Sequence, residues 1–468
     1  MEPLSPDPPE VHSLEEARLV IAALWKVALR VEALEARVAE LEAENSELRA
    51  ELHRLKDLDD KKPPSWAKAN IKRRRRKKKG PKKGHKPAKR TVPGEVDEIR
   101  EYPLDECPDC GGRLGEPSGV QTHIDIEIEP VVPTVREHVF DRYWCSCCKA
   151  MVRSRKADVV PRSKYGPRLH ALVAWLKYGL GMTLGKVQAF LREQCGLELS
   201  TGTLSELLAR VGDRLAPAYD DLLDMVRRQS VLYADESGWR VDGVNHYLWV
   251  FTNDDLCLYQ IRRSRGSQVL VDLLGKSFPG VLCSDFYAAY GVIEGPKQKC
   301  LVHLMRDLRK LRDSDDEPVA QSFSRKLIAA LKRIFKLHGA REQMLPAAFD
   351  KQAKAARTRV LNLAFDHLKS KHPDCKRLAK RISKHRQELF VCLEIPEVEP
   401  GNNQAERGVR PAVLMRKTSY GNRSDRGRRV QEVLMSLIQT CRKRGVDFME
   451  WAVEALVAPE PPPLPLLD

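Results

Sequence analysis

Residues 231–235 read Val-Leu-Tyr-Ala-Asp, and residues 280–285 read Gly-Val-Leu-Cys-Ser-Asp. Each is a short apolar run, typical of a buried β-strand, that closes on an aspartate. Between them, residues 246–252 and 256–261 have strand composition and flank an Asn-Asp-Asp turn, and residues 267–274 favour a helix. The pattern predicts three antiparallel strands, then a helix, then a strand parallel to the first.

This order of elements matches the start of an RNase H-like fold, in which the first and fourth strands are neighbours. Asp235 and Asp285 are therefore expected to face each other. Two adjacent carboxylates are costly unless cations neutralise them, and hard oxygen ligands suit Mg²⁺ or Mn²⁺. Glu236 points to the opposite face of its strand and is the weaker candidate.

A third carboxylate is found in residues 402–410, Asn-Asn-Gln-Ala-Glu-Arg-Gly-Val-Arg. Asn403 can cap a helix with Glu406 at its third position, so a plain capping box is one interpretation. A metal ligand is the other, favoured by basic neighbours that a cap does not need but a DNA phosphate does. These neighbours are Arg407, Arg410, Arg416, Lys417 and Arg423.

The excess of positive over negative charge comes from one segment of the chain. The net charge is +16, and residues 61–90 contain 16 of the 81 basic residues and no acidic one, which leaves 81 − 16 = 65 against 65 acidic residues. Such an arm predicts disorder until it binds a polyanion, with DNA as the expected partner; a solubility tail or a nuclear import signal is the alternative. Its expected DNA contacts are Lys72, Arg73, Arg74, Arg75, Arg76, Lys77, Lys78 and Lys79.

The segment from Ser13 to Lys56 contains neither Gly nor Pro and carries a heptad repeat. Its β-branched and leucine positions favour a parallel two-stranded coiled coil, in which Asn45 fixes the register. A homodimer, or a helix from another partner, is therefore expected; an amphipathic helix packed on its own domain is the alternative. The apolar heptad positions are Leu24, Val27, Val31, Leu34, Val38, Leu41, Leu48, Leu52 and Leu55.

Two cysteine pairs, Cys107 with Cys110 and Cys145 with Cys148, have the Cys-x2-Cys spacing of zinc knuckles. The sequence predicts one structural Zn²⁺ held by these four thiolates, with Cys147 as an alternative to Cys148 and free cysteines as the other interpretation. Alternating segments at residues 123–129 and 134–143 predict β-strands between the pairs.

Residues 183–194 predict an amphipathic helix, and a second helix is expected from near Thr203, with Glu206 placed for a capping box. This helix-turn-helix pattern is compatible with a recognition helix at residues 203–210. Packing within a helical bundle is equally compatible.

Four motifs then occur in order: residues 235–240 (Asp-Glu-Ser-Gly-Trp-Arg), 284–290 (Ser-Asp-Phe-Tyr-Ala-Ala-Tyr), 300–303 (Cys-Leu-Val-His) and 402–407 (Asn-Asn-Gln-Ala-Glu-Arg). They resemble bacterial DDE transposases of the IS-66 insertion-sequence family, and the resemblance runs over residues 24–456. Ser237 stands where that family often has Thr.

The resemblance implies a DNA transposase in which Asp235, Asp285 and Glu406 are catalytic and hold two Mg²⁺ or Mn²⁺ ions for strand cleavage and strand transfer. Arg407 and Arg410 are then expected to contact phosphates. Accessory proteins of the same element are conceivable partners. Cys300 and His303 resemble a pair seen in related transposases, and structural packing is their preferred interpretation. Two rival functions are a zinc-containing dimeric DNA-binding regulator and a nuclease that only cuts.

The expected fold is a multidomain α+β protein of the bacterial cytoplasm, associated with the nucleoid, with no membrane helix. Its expected segments are a coiled coil (13–60), a basic arm (61–95), a zinc-binding, zinc-ribbon-like module (96–160), a helical helix-turn-helix-like DNA-binding region (161–228), an RNase H-like α/β catalytic core in two parts (229–310 and 396–440) around a helical insertion (311–395), and a C-terminal helix with an extended, unstructured Pro-rich tail (441–468).

Overall fold

The computed structural model describes residues 13–59, 96–116, 119, 121–126, 128, 131–153 and 159–464. The chain divides into two compact units, residues 1–126 and 127–468. The basic arm, from Lys72 to Lys79, lies outside the described residues. In the described part of the chain, no helix is both long and apolar enough to cross a membrane.

The first unit begins with α1, a helix of 46 residues from Leu14 to Asp59. Its apolar heptad side chains from Leu24 to Leu41 are exposed, among them Leu34 (60%) and Val38 (54%). Residues 96–116 have no helix, and their backbone turns tightly at Cys107, whose N–H and C=O both bond within the next five residues.

In the second unit, a hairpin of β1 (Arg142–Cys145) and β2 (Ala150–Arg153) comes first. The strands predicted at 123–129 and 134–143 are absent from the described residues there, apart from the overlap with β1. That prediction was wrong because alternation alone does not make a strand: a strand needs a paired neighbour, and of residues 134–143 only 142 and 143 pair with another strand.

Helices α2 (Pro167–Ala174), α3 (Leu184–Cys195) and α4 (Thr201–Arg227) follow, with a π-helical turn after α2. The second helix begins at Thr201, two residues before its predicted start near Thr203. Ser200 is its N-cap, and the Ser200 side chain accepts a hydrogen bond from the Thr203 N–H. Glu206 makes no capping box and instead pairs with Arg210 and Arg426. The apolar side of α4 is buried in the core, as the bundle-packing alternative requires.

The central sheet has five strands in the order β5-β4-β3-β6-β7. Strands β3 to β5 form the antiparallel meander, and β6 and β7 are parallel to β3. The bounds are β3 Val231–Val241, β4 Val244–Thr252, β5 Cys257–Arg262, α5 Ser267–Leu274, β6 Val281–Ser284 and β7 Lys297–Lys299. The order and directions of β3 to β6 agree with the prediction from the sequence, whereas β7 was not predicted.

After β7 the chain forms a helical region and then returns to the sheet. The helical region contains α6 Leu301–Ser314, α7 Pro318–Gly339, α8 Pro346–Phe365, α9 Pro373–Lys384 and α10 Val391–Glu394. The returning helices are α11 Asn403–Ser419 and α12 Asp425–Lys443, and the last helix is α13 Phe448–Val457.

Helix α12 closes one edge of the sheet through its polar side chains. The N–H groups of β5 donate to Glu432, Ser436 and Thr440 over 2.6–3.1 Å. Pairing these groups with a helix satisfies an edge that would otherwise be open to another strand. Because α12 packs on this edge, α11 is held over the faces of β3 and β4.

The described part of the tail, up to Leu464, is irregular but packed. Leu464 is buried, and the indole N–H of Trp451 donates to the Pro463 carbonyl over 3.2 Å. The expectation of an unstructured tail was therefore wrong for Pro463, whose carbonyl is bound by Trp451, and for Leu464, which is buried in the core.

Candidate active site

Asp235 and Asp285 lie at matching positions of two adjacent parallel strands. Val231 of β3 pairs with Val281 of β6, an offset of 281 − 231 = 50, and the same offset separates the aspartates, 285 − 235 = 50. Asp285 follows β6 directly, at its carboxyl end. The neighbouring strands thus bring the two carboxylates close together, as the sequence predicted.

The environment of Asp235 opposes its negative charge. Burial raises the pKa of Asp235 to about 7, and the charges of Glu236, Asp285 and Glu406 act in the same direction. The Glu236 N–H, which donates to Asp235 Oδ1 over 2.9 Å, acts against them. Asp285 and Glu406 are therefore close enough to Asp235 for their charges to raise its pKa.

Asp285 is held by the turn that follows it and by a buried lysine. The N–H of Tyr287 donates to Asp285 Oδ1 over 2.7 Å, which fixes one carboxylate oxygen. Lys299 of β7 is 2% exposed, and its ammonium donates to the Asp285 carbonyl and to Ser284 Oγ. Burial lowers the pKa of Lys299. No local pattern in the sequence indicates this lysine's role.

Glu406 lies in the first turn of α11, and Asn402 fixes where that turn begins. Asn402 is buried; its side-chain amide donates to the Ala234 carbonyl over 2.8 Å, and its own carbonyl accepts from the Glu406 N–H. The predicted Asn403 cap was wrong by one residue, because Asn402 is the N-cap and makes no side-chain cap. Asn402 instead joins α11 to the residue before Asp235.

The far side of Glu406 is basic. His303 Nε2 and an Arg306 amine nitrogen lie 3.8 and 3.5 Å from Glu406 Oε1, both from α6. Cys300 is buried and its Sγ accepts from the Asn402 N–H, which agrees with a packing role. Arg410, one helical turn after Glu406, is exposed.

Arg407 is exposed as well. At the other end of α11, Arg416 donates to Ser237 Oγ over 3.2 Å and to the Gly238 carbonyl. This arginine therefore fastens α11 to β3, the strand that carries Asp235.

The donor set fits a hard divalent cation. Three carboxylates lie close together here, and burial together with the charges of the neighbouring carboxylates raises the pKa of Asp235. Oxygen-only donors of this kind suit Mg²⁺ or Mn²⁺ better than a soft metal.

Each cysteine pair forms a turn with thiolate-stabilising N–H groups. The pKa of Cys107 is lowered by hydrogen bonds from the backbone N–H groups of Asp109 and Cys110, and that of Cys145 by those of Cys148 and Cys147. The Cys148 N–H donates to Cys145 Sγ over 3.4 Å. A lowered thiol pKa is what a zinc ligand requires, so the residues of each turn fit Zn²⁺.

A different group of possible ligands, Asp315, Glu317 and His372, brings its donor atoms within 4.8 Å of one another. His372 Nδ1 accepts from the Cys375 N–H at the start of α9, so the proton is on Nε2, which bonds Asp315 over 2.7 Å. Both imidazole nitrogens are therefore used, and a helix cap with an ion pair accounts for the cluster.

Comparison with known families places the chain. Residues 162–430, more than half of its length, match the family described as Transposase IS66 family. The chain belongs to the IS66 transposase family. Residues 105–149 match the zinc-finger binding domain of transposase IS66, a range that includes both cysteine pairs and supports a structural zinc. The resemblance inferred from the four motifs is thereby confirmed.

Three relatives of this member of the IS66 transposase family come from Sinorhizobium fredii. Uncharacterized protein y4qI is 24% identical over 62% of this chain and 58% of its own length. Uncharacterized proteins y4hP and y4jD are 23% and 27% identical, over 79% and 75% of this chain and 74% of their own lengths. The chain thus aligns with little more than half of y4qI and about three quarters of the other two.

Proposed function

We propose that this protein is a DDE transposase that cleaves the ends of an insertion sequence and joins them to target DNA. The observation that carries the proposal is that Asp235, Asp285 and Glu406 lie close together, although they come from two parallel strands and one helix. The strand order around them supports an RNase H-like core interrupted by helices α6 to α10.

Two divalent ions bound there would activate the attacking oxygen and stabilise the leaving one. Asp235, Asp285 and Glu406 would hold these ions through their carboxylate oxygens. Cleavage by water leaves a 3′-hydroxyl at the element's end. Attack of this hydroxyl on a target phosphodiester forms one P–O bond and breaks another, so strand transfer needs neither an external energy source nor a protein nucleophile.

DNA would approach the carboxylates along the basic residues of α11. Arg410 shares a helical face with Glu406 because the two are four residues apart, and Arg407 lies beside it. Both arginines are exposed, which leaves their guanidinium groups accessible to phosphates. The predicted basic arm would add sequence-independent affinity.

A second basic surface lies between α7 and α8. A groove of about 630 Å³ is lined by Lys326, Lys351, Lys354 and Arg359, with Asp366 as its only acidic side chain. None of the four cations forms an ion pair with any residue that the structure describes, whereas many other arginines do. Unpaired cations in a groove favour a phosphate backbone as the ligand.

Two accessory features complete the proposal. Cys107, Cys110, Cys145 and Cys148 are proposed as the ligands of the structural zinc. The heptad face of α1, which is exposed from Leu24 to Leu41, is proposed as the seam of a parallel homodimer. A dimer would hold two catalytic units on two element ends.

The decisive experiment incubates the protein with Mg²⁺ or Mn²⁺ and labelled DNA carrying the element's own ends. Nicking and joining should be lost in Asp235→Ala, Asp285→Ala and Glu406→Ala while DNA binding survives. Asp242→Asn, an exposed carboxylate at the far end of β3, is the matched control and should retain activity. Tight DNA binding without cleavage in the wild type, under either metal, contradicts the proposal.

A further inference from the structure

Glu236, next to Asp235 on β3, is a buried carboxylate with both oxygens engaged. Its side chain is 3% exposed. Oε2 accepts from the Tyr290 hydroxyl over 2.5 Å, and Oε1 accepts from Arg265 Nε and an Arg265 amine nitrogen over 3.1 and 2.7 Å. Both oxygens of Glu236 are thus bound by side chains of the protein, although the sequence places it beside the candidate ligand.

Both partners of Glu236 connect to the turn that carries Asp285. Tyr290 is fully buried in the 3₁₀ turn Ala288–Val292, three residues beyond Tyr287. The Arg265 guanidinium lies over the Tyr287 ring, 4.1 Å from its centroid, and the Tyr287 hydroxyl donates to the Arg265 carbonyl over 3.0 Å. Tyr287 in turn donates its N–H to Asp285.

These contacts form a bridge of side chains from one metal-binding candidate to the other. One end is β3 at Glu236, whose own N–H bonds Asp235, and the other end is the Tyr287 N–H on Asp285. The paired register of β3 and β6 ends at Tyr233 and Cys283, two residues before each aspartate. The Glu236 bridge connects β3 to the Asp285 turn beyond this last backbone pair.

We propose that Glu236 is a positioning residue, which holds the Asp285 turn against β3 at the separation that two divalent ions require. The inference rests on the proposed function, since it assumes that Asp235 and Asp285 bind those ions. It assigns Glu236 no contact with metal or DNA. Residues that orient metal ligands in this way commonly change metal affinity by roughly 10–100-fold when they are substituted.

The test measures Mn²⁺ binding by calorimetry on the full-length, zinc-loaded protein, together with DNA joining as a function of Mn²⁺ concentration. Glu236→Gln should bind Mn²⁺ about 10-fold more weakly, and saturating Mn²⁺ should restore most of the joining. Tyr290→Phe, which keeps the buried ring, should shift affinity in the same direction by less. The double variant should bind Mn²⁺ more weakly than Glu236→Gln alone. The additional loss of affinity should be smaller than the loss that Tyr290→Phe causes by itself, because both substitutions act through one bridge.

Asp242→Asn is the matched control, an exposed carboxylate on the same hairpin, and should bind Mn²⁺ as the wild type does. Unchanged affinity in Glu236→Gln overturns the inference. A loss as complete as that of Asp235→Asn, not restored at saturating Mn²⁺, overturns it too and makes Glu236 a ligand. Wild-type protein that binds Mn²⁺ but neither cuts nor joins DNA refutes the proposed function alone, since the affinities still decide the role of Glu236. Absence of Mn²⁺ binding by the wild type refutes both.

Discussion

The side-chain amide of Asn402 donates to the backbone carbonyl of Ala234 over 2.8 Å, across 168 positions of sequence. This bond joins the residue before Asp235 to the residue before α11, and Glu406 lies in the first turn of that helix. The carboxylate supplied by α11 is thus located relative to β3 by a buried hydrogen bond and by the Arg416 contact at the other end of the helix.

Asn402→Ala should lower the free energy of unfolding by about 1–3 kcal/mol, because it leaves a buried carbonyl without its donor. DNA joining should fall at least tenfold, since Glu406 loses its position. Thermal unfolding and the joining assay measure the two effects. Asn403→Ala is the matched control, because Asn403 is exposed, and it should retain both stability and activity. Equal losses in the two variants would show that Asn402 has no special role.

Asp235→Asn should abolish joining and at the same time stabilise the metal-free protein. The substitution removes a buried negative charge that is repelled by Glu236, Asp285 and Glu406. Calorimetric scans should show a higher Tm than for the wild type in EDTA, and addition of Mg²⁺ should raise the Tm of the wild type but not of the variant. A wild-type Tm that is insensitive to both Mg²⁺ and Mn²⁺ would argue against a metal at Asp235.

Purified protein should contain about one Zn²⁺ per chain. Elemental analysis should show this zinc reduced in Cys107→Ser and in Cys145→Ser, because each loses one of four thiolates. Comparing Cys147→Ser with Cys148→Ser decides which of the two is the fourth ligand, and only one of them should lose zinc. Cys195→Ser is the control, because Cys195 is a buried residue of α3 that belongs to neither cysteine pair. Zinc retained in both Cys107→Ser and Cys145→Ser would exclude this ligand set.

Leu34→Glu should convert a dimer into a monomer, because it places a charge in the proposed coiled-coil seam. Leu34 is 60% exposed in the single chain, so a stability loss within one chain does not explain such a change. Light scattering coupled to size-exclusion chromatography measures the mass. Glu35→Gln lies beside the seam and should remain dimeric. Wild-type protein that is monomeric at micromolar concentration would refute the zipper.

The triple variant Lys326→Gln, Lys351→Gln, Lys354→Gln should weaken DNA binding and flatten its salt dependence. The slope of log K against log salt should fall by about 0.9 for every phosphate that the variant no longer neutralises. Fluorescence anisotropy over a salt series gives both quantities. Lys276→Gln, at a lysine outside the groove that is paired with Glu294, is the control for loss of a surface charge and should leave the slope unchanged. An unchanged slope in the triple variant would remove the α7–α8 groove from the DNA path.

The sequence was most informative where local pattern and composition decide the structure. Helix α5 begins and ends where it was predicted, and β4 and β5 differ from their predicted bounds by one or two residues, whereas β3 continues from Asp235 to Val241. Apolar runs bounded by turn residues leave the backbone few alternatives. The same reasoning failed at residues 134–140, because a strand depends on a neighbour that the local sequence does not specify.

The candidate site divides in the same way. The sequence by itself determined which carboxylates to consider, since Asp235 and Asp285 each follow a short apolar run of sequence and Glu406 has arginines nearby. Only the tertiary structure decided what holds them: the buried Asn402, Lys299 and Glu236 have partners far away in the chain. Local periodicity encodes the face of an element, whereas the pairing of buried polar groups depends on which elements meet after folding.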